Sequence, residues 1–371
     1  MLGNPSVGET VKVFSSKGEF LCIGAYSPSS QIRVRIWSWD EDEEVNGLFF
    51  RCRIESALAL RQAIPDLKET DAVRLVHAES DSIPGLIVDQ YSEWLVVQFL
   101  SCGVERWRSE ILDTLSEMIP VRGVYERSDL EVRKLEGLVG RTGVLRGQEP
   151  PERIQINESG LTFGVDVRKG QKTGFFLDQR ENRRQVRQLS DNRDVLDCFS
   201  YTGGFTLSAL AGGARSVVAI DSSDEALTIL RENIQLNRVS EAQVEIEQGN
   251  VFQVLRGYRD ARRKFDLIVL DPPKFAATTV QVRQATRGYK DINLLAFKLL
   301  REGGLLVTFS CSGGLTPELH QKVVADAALD AGCDAQIIRR LFQASDHPVG
   351  MNFPEGAYLK GLIVYKKTAE R

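Results

Sequence analysis

Residues 194–221 read DVLDCFSYTGGFTLSALAGGARSVVAID, and this stretch decides the fold class of the chain. Its first six residues predict a strand, Gly203 and Gly204 a tight loop, the residues up to Ala211 a helix, and its last six a second strand that ends on Asp221. A strand, a helix and a parallel strand in this order form a βαβ unit with a right-handed crossover. The stretch therefore predicts the start of a doubly wound α/β sheet.

The same alternation continues toward the C-terminus. Further strands are predicted at residues 244–246, 265–270 and 305–309, with a helix before the last of them. Strands that alternate with helices of this length indicate a Rossmann-like doubly wound sheet. We expect this α/β domain to span residues 151–371.

Two smaller domains are predicted before it. Residues 1–70 read as short strands and turns followed by a helix over residues 47–63, which indicates a small β-barrel-like domain. Residues 71–150 read as strands, one helix over residues 104–118 and two more strands, which is an α+β arrangement. The best candidate for the linker to the third domain is the proline pair within residues 149–152.

Composition limits the function classes. The chain has 371 residues, of which 42% are hydrophobic, so it can bury several cores. A net charge of −4 argues against general nucleic-acid binding, so any RNA contact must use local patches. The six cysteines and three histidines are scattered, which indicates reduced thiols and no metal site. No apolar run approaches the ~20 residues of a membrane span, so we expect a soluble, cytoplasmic protein, and the sequence does not decide between a monomer and a homodimer.

One such basic patch is predicted near the N-terminus. Residues 31–37 alternate with period two, which places Arg33, Arg35 and Trp37 on one face of a strand and apolar side chains on the other. Two guanidinium groups and an indole can pair with phosphates and stack on bases, so this face is a candidate RNA contact. The alternative is an ordinary solvated outer face of a small barrel.

The loop of the first βαβ unit also indicates which type of cofactor the domain binds. Glycines in the first turn let a ligand approach the backbone, and an acid after the second strand, here Asp221, can accept hydrogen bonds from ribose hydroxyls. The loop lacks the G-x-G-x-x-G pattern that cradles a pyrophosphate, and a later strand is followed by Asp271-Pro272-Pro273. An adenosine-type cofactor without a pyrophosphate is therefore favoured over NAD.

A thiol and a carboxylate are expected to meet at the same sheet edge. Cys311 lies just beyond the predicted strand at residues 305–309, and Asp271 directly follows the strand at residues 265–270. If the two strands are neighbours in a parallel sheet, both side chains lie at its carboxyl edge, where open α/β sheets bind ligands. This pairing suggests covalent catalysis on an electrophilic ring carbon. The alternative is that Cys311 is a small core residue at a strand end.

Several motifs together resemble one known family. They lie in the ranges 26–33, 170–180, 194–237, 265–275, 288–293, 309–313 and 354–361. In combination they are similar to the ribosomal RNA large subunit methyltransferase I family, and the likeness covers nearly the whole chain. It implies a PUA domain, a small α+β unit and a class I methyltransferase domain that follows a β-hairpin around residues 154–167. It also implies S-adenosylmethionine-dependent formation of 5-methylcytosine in large-subunit (23S) ribosomal RNA.

The resemblance implies roles for particular residues. Cys311 would attack carbon 6 of cytosine as a thiolate, and Asp271 would stabilise charge at ring nitrogen 3. The residues expected to hold the cofactor are Phe176, Asp178, Gln179, Tyr201, Gly203, Asp221, Asn250 and Asp271, the first three at its methionine end. Asn250 stands where the family commonly has an acid that contacts adenine, and an asparagine can still accept a hydrogen bond through its carbonyl oxygen.

Two residues after the Asp-Pro-Pro motif are further RNA candidates. Phe275 could stack on the flipped base or be a core packing residue, and Lys274 could pair with a phosphate or be a solvated loop charge.

Two rival functions stay open at this stage. An RNA methyltransferase that alkylates a base nitrogen also carries Asp-Pro-Pro but needs no thiol, so Cys311 discriminates against it. A noncatalytic PUA-type RNA-binding protein would not bind S-adenosylmethionine, which a titration would decide.

Overall fold

The computed structural model describes residues 3–275 and 282–368, and side chains are described throughout except at residues 282–284. The chain forms two compact units. The first comprises Met1–Asp178 with Ser345–Gly356, and the second comprises Gln179–Ala344 with Ala357–Arg371. The division of the first 150 residues into two domains, with the third beginning at residue 151, stays a prediction.

The N-terminal part of the first unit is a three-stranded antiparallel sheet followed by a helix. The strands are β1 (Thr10–Phe14), β2 (Phe20–Tyr26) and β3 (Val34–Ser38), in that order. Helix α1 (Gly47–Ala63) has the predicted bounds. It begins after Asn46, whose side-chain oxygen accepts a hydrogen bond from the backbone N–H of Phe49 at 3.1 Å and so caps the first turn.

The rest of the first unit is built on a five-stranded sheet. Its strands, which adjoin one another in chain order, are β4 (Ala72–His77), β5 (Leu86–Tyr91), β6 (Trp94–Phe99), β7 (Gly123–Ser128) and β8 (Arg141–Gly147). Only the β6–β7 pair is parallel. The helices are α2 (Cys102–Arg106), α3 (Arg108–Met118) and α4 (Glu131–Leu135), so the single helix predicted over residues 104–118 is in fact two. The predicted hairpin is confirmed as β9 (Ile154–Glu158) paired with β10 (Leu161–Val165).

The second unit alternates helices and strands. In chain order its elements are α5 (Arg180–Leu189), β11 (Asp194–Cys198), α6 (Gly204–Ala211), β12 (Ser216–Asp221), α7 (Asp224–Leu236), β13 (Val244–Gln248), α8 (Val251–Asp260), β14 (Phe265–Leu270), α9 (Val282–Leu299), β15 (Leu300–Ser310), α10 (Pro317–Asp330), β16 (Ala335–Leu341) and β17 (Lys360–Lys366). The strands form one seven-stranded sheet in the order β13-β12-β11-β14-β15-β17-β16. The first five are parallel, and β17 is antiparallel to both of its neighbours.

This sheet confirms the predicted doubly wound α/β class. Its central strands carry continuous buried apolar runs, such as Val195–Leu196 in β11 and Leu267–Leu270 in β14, because helices cover both faces. Helix α7 is capped by Ser223, whose hydroxyl accepts the backbone N–H of Ala226 at 3.2 Å. Within the described ranges, no helix combines the length and the apolar character needed to cross a bilayer.

Candidate active site

The carboxyl edge of the parallel strands gathers the polar residues that the sequence singled out. Asp221 ends β12, Asn250 lies just beyond β13, and Asp271 directly follows β14. The order in which strands are added to the sheet reverses at β11, because β12 lies on one side of it and β14 on the other, so the crevice outside this strand is the switch point where such sheets bind ligands.

The loop after β11 is tightly wound. Phe199, Tyr201 and Gly203 have positive φ angles of 63°, 48° and 88°. At the φ of Gly203 any side chain would be strained, and its Cβ would also meet a methyl carbon of Leu230 at 2.1 Å, so both effects favour glycine there. Two non-glycine residues in this left-handed region indicate a strained backbone conformation, which is often found in ligand-binding loops.

Asp221 holds this loop from the neighbouring strand. One carboxylate oxygen accepts the backbone N–H of Tyr201 at 2.9 Å, and the other accepts the backbone N–H of Ser223 at 2.9 Å. Each oxygen has a second lone pair, so the carboxylate can still accept hydrogen bonds from two hydroxyl groups of a ribose. The predicted placement of Asp221 beside the glycine loop is therefore realised in the geometry.

Three buried polar atoms of β11 and the loop after it lack a hydrogen-bond partner among the described residues. They are Oδ1 of Asp197, Oγ of Ser200 and Oγ1 of Thr202. The other oxygen of Asp197 accepts the hydroxyl of Thr206 at 2.6 Å, and complete burial raises the pKa of the Asp197 carboxyl to about 7. Unpartnered buried polar groups are costly. A carboxyl and two hydroxyls match the ammonium and carboxylate of a methionine moiety, so the loop fits S-adenosylmethionine.

Asn250 uses its side chain to cap α8. Its Oδ1 accepts the backbone N–H groups of Phe252 and Gln253 at 3.0 and 3.4 Å. The oxygen that the sequence offered as an acceptor for adenine is thus already engaged, and the side-chain amide nitrogen is the group with hydrogens to donate. A contact between Asn250 and the cofactor stays a prediction.

The remaining cofactor candidates lie at the junction of the two units in sequence. In the first unit, the Lys172 ammonium lies 2.5 Å from Oδ2 of Asp178 and 4.6 Å from the ring centroid of Phe176. Gln179 opens the second unit and accepts a hydrogen bond from the Asn182 amide at 2.6 Å. Roles for Phe176, Asp178 and Gln179 at the methionine end stay predictions.

Cys311 lies directly beyond β15, at the same edge as Asp271. Residue Leu270 pairs with Thr308 across β14 and β15, so the two neighbouring parallel strands deliver Asp271 and Cys311 to adjacent places. The thiol residue is half-buried, between two fully buried serines. The backbone carbonyl of the second serine, Ser312, accepts a hydrogen bond from the Lys360 ammonium at 2.8 Å.

Tyr289 of α9 joins this cluster. Its hydroxyl lies 3.0 Å from the hydroxyl of Ser312, and its ring centroid lies 4.7 Å from that of Phe275. Phe275 is half-buried and also contacts Phe252, with ring centroids 5.9 Å apart. These contacts support the packing alternative for Phe275, whereas stacking on a base stays a prediction. Lys274 is exposed, which is compatible with either of its two expected roles.

The structure corrects the predicted basic and aromatic face. Trp37 is 3% exposed, and its ring meets those of Phe49 and Phe50 edge-on, so it cannot stack on a base. The cause is a bulge, because Ile23 pairs with Ser38 and Gly24 with Ile36, which leaves Trp37 without a cross-strand partner and turns it inward.

The two arginines of that face form contacts within the protein that the sequence analysis did not predict. Arg35 is half-buried and pairs with Glu136 and Glu79, each at 3.1 Å, so its guanidinium is committed within the unit. Burial alone would raise the pKa of Glu136, but the hydroxyl of Ser27 and the charge of Arg35 hold that pKa below its usual value. Only Arg33 is exposed, and it donates to the carbonyl of Pro28.

Some residues of the site had no role in the sequence reading. Tyr289 and Lys360 stood inside recognised motifs, but nothing local to the chain shows that they approach Cys311. His320 of α10 is buried, and its Nε2 has no hydrogen-bond partner among the described residues. Burial and the charge of Lys360 lower the pKa of His320 to about 4, so it is neutral near pH 7.

Comparison with known proteins agrees with this geometry. Residues 142–352 match the family model of S-adenosylmethionine-dependent methyltransferases, and residues 1–39 match that of a PUA-like domain. A solved methyltransferase in complex with SAH has a TM-score of 0.86 and 23% identity over 97% of this chain and 92% of its own. The fold and the site thus define a class I methyltransferase whose cofactor is S-adenosylmethionine.

Closer relatives identify the family. Ribosomal RNA large subunit methyltransferase I of Tolumonas auensis is 49% identical over 98% of this chain and 91% of its own length. The protein of the same name from Aeromonas salmonicida is 50% identical over the same shares. The chain belongs to the ribosomal RNA large subunit methyltransferase I family, as the motifs had indicated.

Proposed function

We propose that this protein methylates carbon 5 of a cytosine in large-subunit ribosomal RNA, with Cys311 as the nucleophile. The names of its close relatives support ribosomal RNA as the substrate. The observation that carries the chemistry is the half-buried thiol at the carboxyl edge, one strand from Asp271. Transfer to a ring nitrogen would require no thiol at this place.

The proposed reaction uses the thiolate form of Cys311. Carbon 5 of cytosine is a poor nucleophile, and addition of the thiolate to carbon 6 makes it enamine-like. Bound S-adenosylmethionine supplies an electrophilic methyl group on its sulfonium. When carbon 5 bonds to the methyl carbon, the bond from that carbon to sulfur breaks and its electrons stay on sulfur, which leaves as the neutral thioether. A base then removes the carbon 5 proton, and the electrons of the carbon 5–hydrogen bond restore the ring double bond and expel the thiolate from carbon 6.

The other residues of the edge would hold and polarise the reactants. A protonated or water-linked Asp271 would stabilise the charge that develops at ring nitrogen 3 when the thiolate adds. Tyr201, Gly203 and Asp221 would shape and bind the adenosine half of the cofactor, while Asp197, through its buried and unpartnered oxygen, would accept from the cofactor ammonium.

A mechanism-based trap tests this proposal. RNA that carries 5-fluorocytosine at the target should be methylated and then remain bound, since fluorine cannot leave as a proton does. We expect a protein–RNA adduct that is stable to denaturing electrophoresis, and Cys311→Ala should abolish both the adduct and turnover on normal RNA.

Two other thiols serve as matched controls. Cys198 lies fully buried in β11, where burial raises the pKa of its thiol, and Cys333 is half-buried like Cys311. Cys198→Ala and Cys333→Ala should each leave the adduct forming. Methyl transfer to carbon 5 that persists in Cys311→Ala would refute the covalent mechanism, and methylation on a nitrogen in that variant would favour the rival chemistry.

A further inference from the structure

Lys360 is held against both neighbours of Cys311. It is the first residue of β17, where its backbone pairs with that of Ser310, and its ammonium donates to the carbonyl of Ser312 at 2.8 Å. Its side chain therefore runs alongside the residue between them. Lys360 is 6% exposed, so the charge is held in place and is poorly hydrated.

This buried ammonium has no carboxylate partner. Lysine is almost never fully buried unless it is paired, yet within the described part of the chain no Asp or Glu forms an ion pair with Lys360. Its one hydrogen-bond acceptor there is a neutral carbonyl. The anion that fits beside it is the thiolate of Cys311. Burial lowers the pKa of Lys360, and the charge of Cys311 acts in the opposite direction.

The groups around this pair come from several elements. Lys274 follows β14 and adds positive charge that lowers the pKa of Lys360, and Asp271 begins the same loop. Tyr289 faces the pair from α9, and burial raises the pKa of its hydroxyl, so it is neutral. His320 faces it from α10 and is neutral near pH 7. Tyr358, just before β17, packs on the same apolar cluster as Cys311.

We propose that Lys360 is a positioning residue that keeps a positive charge beside Cys311 and thereby favours the thiolate over the thiol. The inference rests on the proposed function, in which Cys311 is the nucleophile. A nearby lysine is one of the environments that depress thiol pKa values in proteins. The ammonium does not itself touch the substrate in this role, and it acts through the sulfur.

Alkylation kinetics test the inference without RNA or cofactor. The purified full chain is treated with iodoacetamide across pH 5–10, and the modified Cys311 peptide is quantified by mass spectrometry. Because the thiolate is the reactive form, the midpoint of the rate profile reports the thiol pKa. We expect a wild-type midpoint below that of a free cysteine peptide in the same mixture. Lys360→Met should raise the midpoint and slow alkylation about tenfold near neutral pH, which corresponds to about one pKa unit.

The chain offers a matched control on the same strand. Lys366, at the other end of β17, is half-buried, donates to the carbonyls of Phe297 and Leu300 at 3.0 and 2.9 Å, and influences Cys333. Lys366→Met should leave the Cys311 profile unchanged. Lys360→Arg keeps the charge and should retain a low midpoint, which a purely structural role for the Lys360 hydrogen bond would not require.

Each outcome decides the inference. An unchanged midpoint in folded Lys360→Met, or an equal shift in Lys366→Met, would overturn it. If Lys360→Met does not fold, the wild-type profile still decides, because a midpoint at or above that of the free peptide contradicts an activated thiol. Failure of the covalent mechanism is seen separately, as methylation of carbon 5 that survives in Cys311→Ala while the alkylation profiles keep the expected order.

Discussion

Replacement of Asp221 by alanine should weaken cofactor binding far more than folding. Asp221 makes two kinds of contact in the proposed complex. Its oxygens accept the backbone N–H groups of Tyr201 and Ser223, and their second lone pairs would accept the ribose hydroxyls. The alanine variant loses both kinds of contact, so the effect on folding stability must be separated from the effect on cofactor affinity.

The two kinds of contact contribute different free energies because solvent reaches the backbone donors. The residues that donate the two backbone N–H groups are half-buried. Loss of these two hydrogen bonds to the carboxylate should cost about 1–3 kcal/mol of folding free energy in total. Two hydrogen bonds from ribose to a carboxylate are worth about 1.5–3 kcal/mol each. Their loss predicts a dissociation constant for S-adenosylmethionine that is raised by about 10²–10⁴-fold.

Isothermal titration calorimetry with S-adenosylmethionine measures the affinity, and chemical denaturation measures the stability. Ser223→Ala is the matched control, because it removes the cap of α7 and should cost about 1 kcal/mol of stability while it keeps the backbone N–H that Asp221 accepts. We expect this control to bind the cofactor within a few-fold of wild type. An affinity of folded Asp221→Ala within about threefold of wild type would refute the cofactor placement.

Two further predictions concern buried charges. Arg35→Ala leaves Glu136 buried without its guanidinium partner, so urea denaturation should show a loss of about 3 kcal/mol in the free energy of unfolding. Replacement of the exposed Arg33 by alanine should change that free energy by less than about 0.5 kcal/mol. Equal effects of the two substitutions would contradict the ion-pair geometry. Asp197→Asn should remove a pH dependence. The Asp197 pKa is 3.8 in the unfolded reference and about 7 in the fold, so its contribution to stability is complete below pH 3.8 and is lost as pH rises to about 7. The difference between the variant and wild type should therefore grow across this window by up to about 4 kcal/mol, and parallel stability curves from pH 4 to 8 would exclude the shift.

The parallel strands were readable from sequence for a physical reason. A strand covered by helices on both faces needs apolar side chains on both, so it appears as an unbroken apolar run, as in Leu267–Leu270. The edge strand β16 was not predicted, because solvent reaches it and its sequence AQIIRRL mixes exposed isoleucines with arginines. Exposed charges are common on edge strands, where they oppose further pairing.

The part of the site that was predictable from sequence is formed by residues that lie close together along the chain. Gly203 and Asp221 belong to one βαβ unit, and the geometry of that unit fixes how they meet. Trp37 shows the opposite case. Period-two alternation places it outward, but a single bulge in the pairing of β2 with β3 reverses its side, and no residue pattern in the segment announces the bulge.

The two lysines of β17 show what only strand direction can decide. Lys360 and Lys366 are the same residue type on one strand, both are shielded from solvent, and each influences a cysteine. Because β17 runs antiparallel to β15, its first residue lies where β15 ends, beside Cys311, and its last residue lies where β15 begins, at Leu300. One lysine is thus brought to the carboxyl edge, where the loop after β11 and Asp271 also lie. The other is brought to the opposite edge, where its hydrogen bonds join α9 to the start of β15.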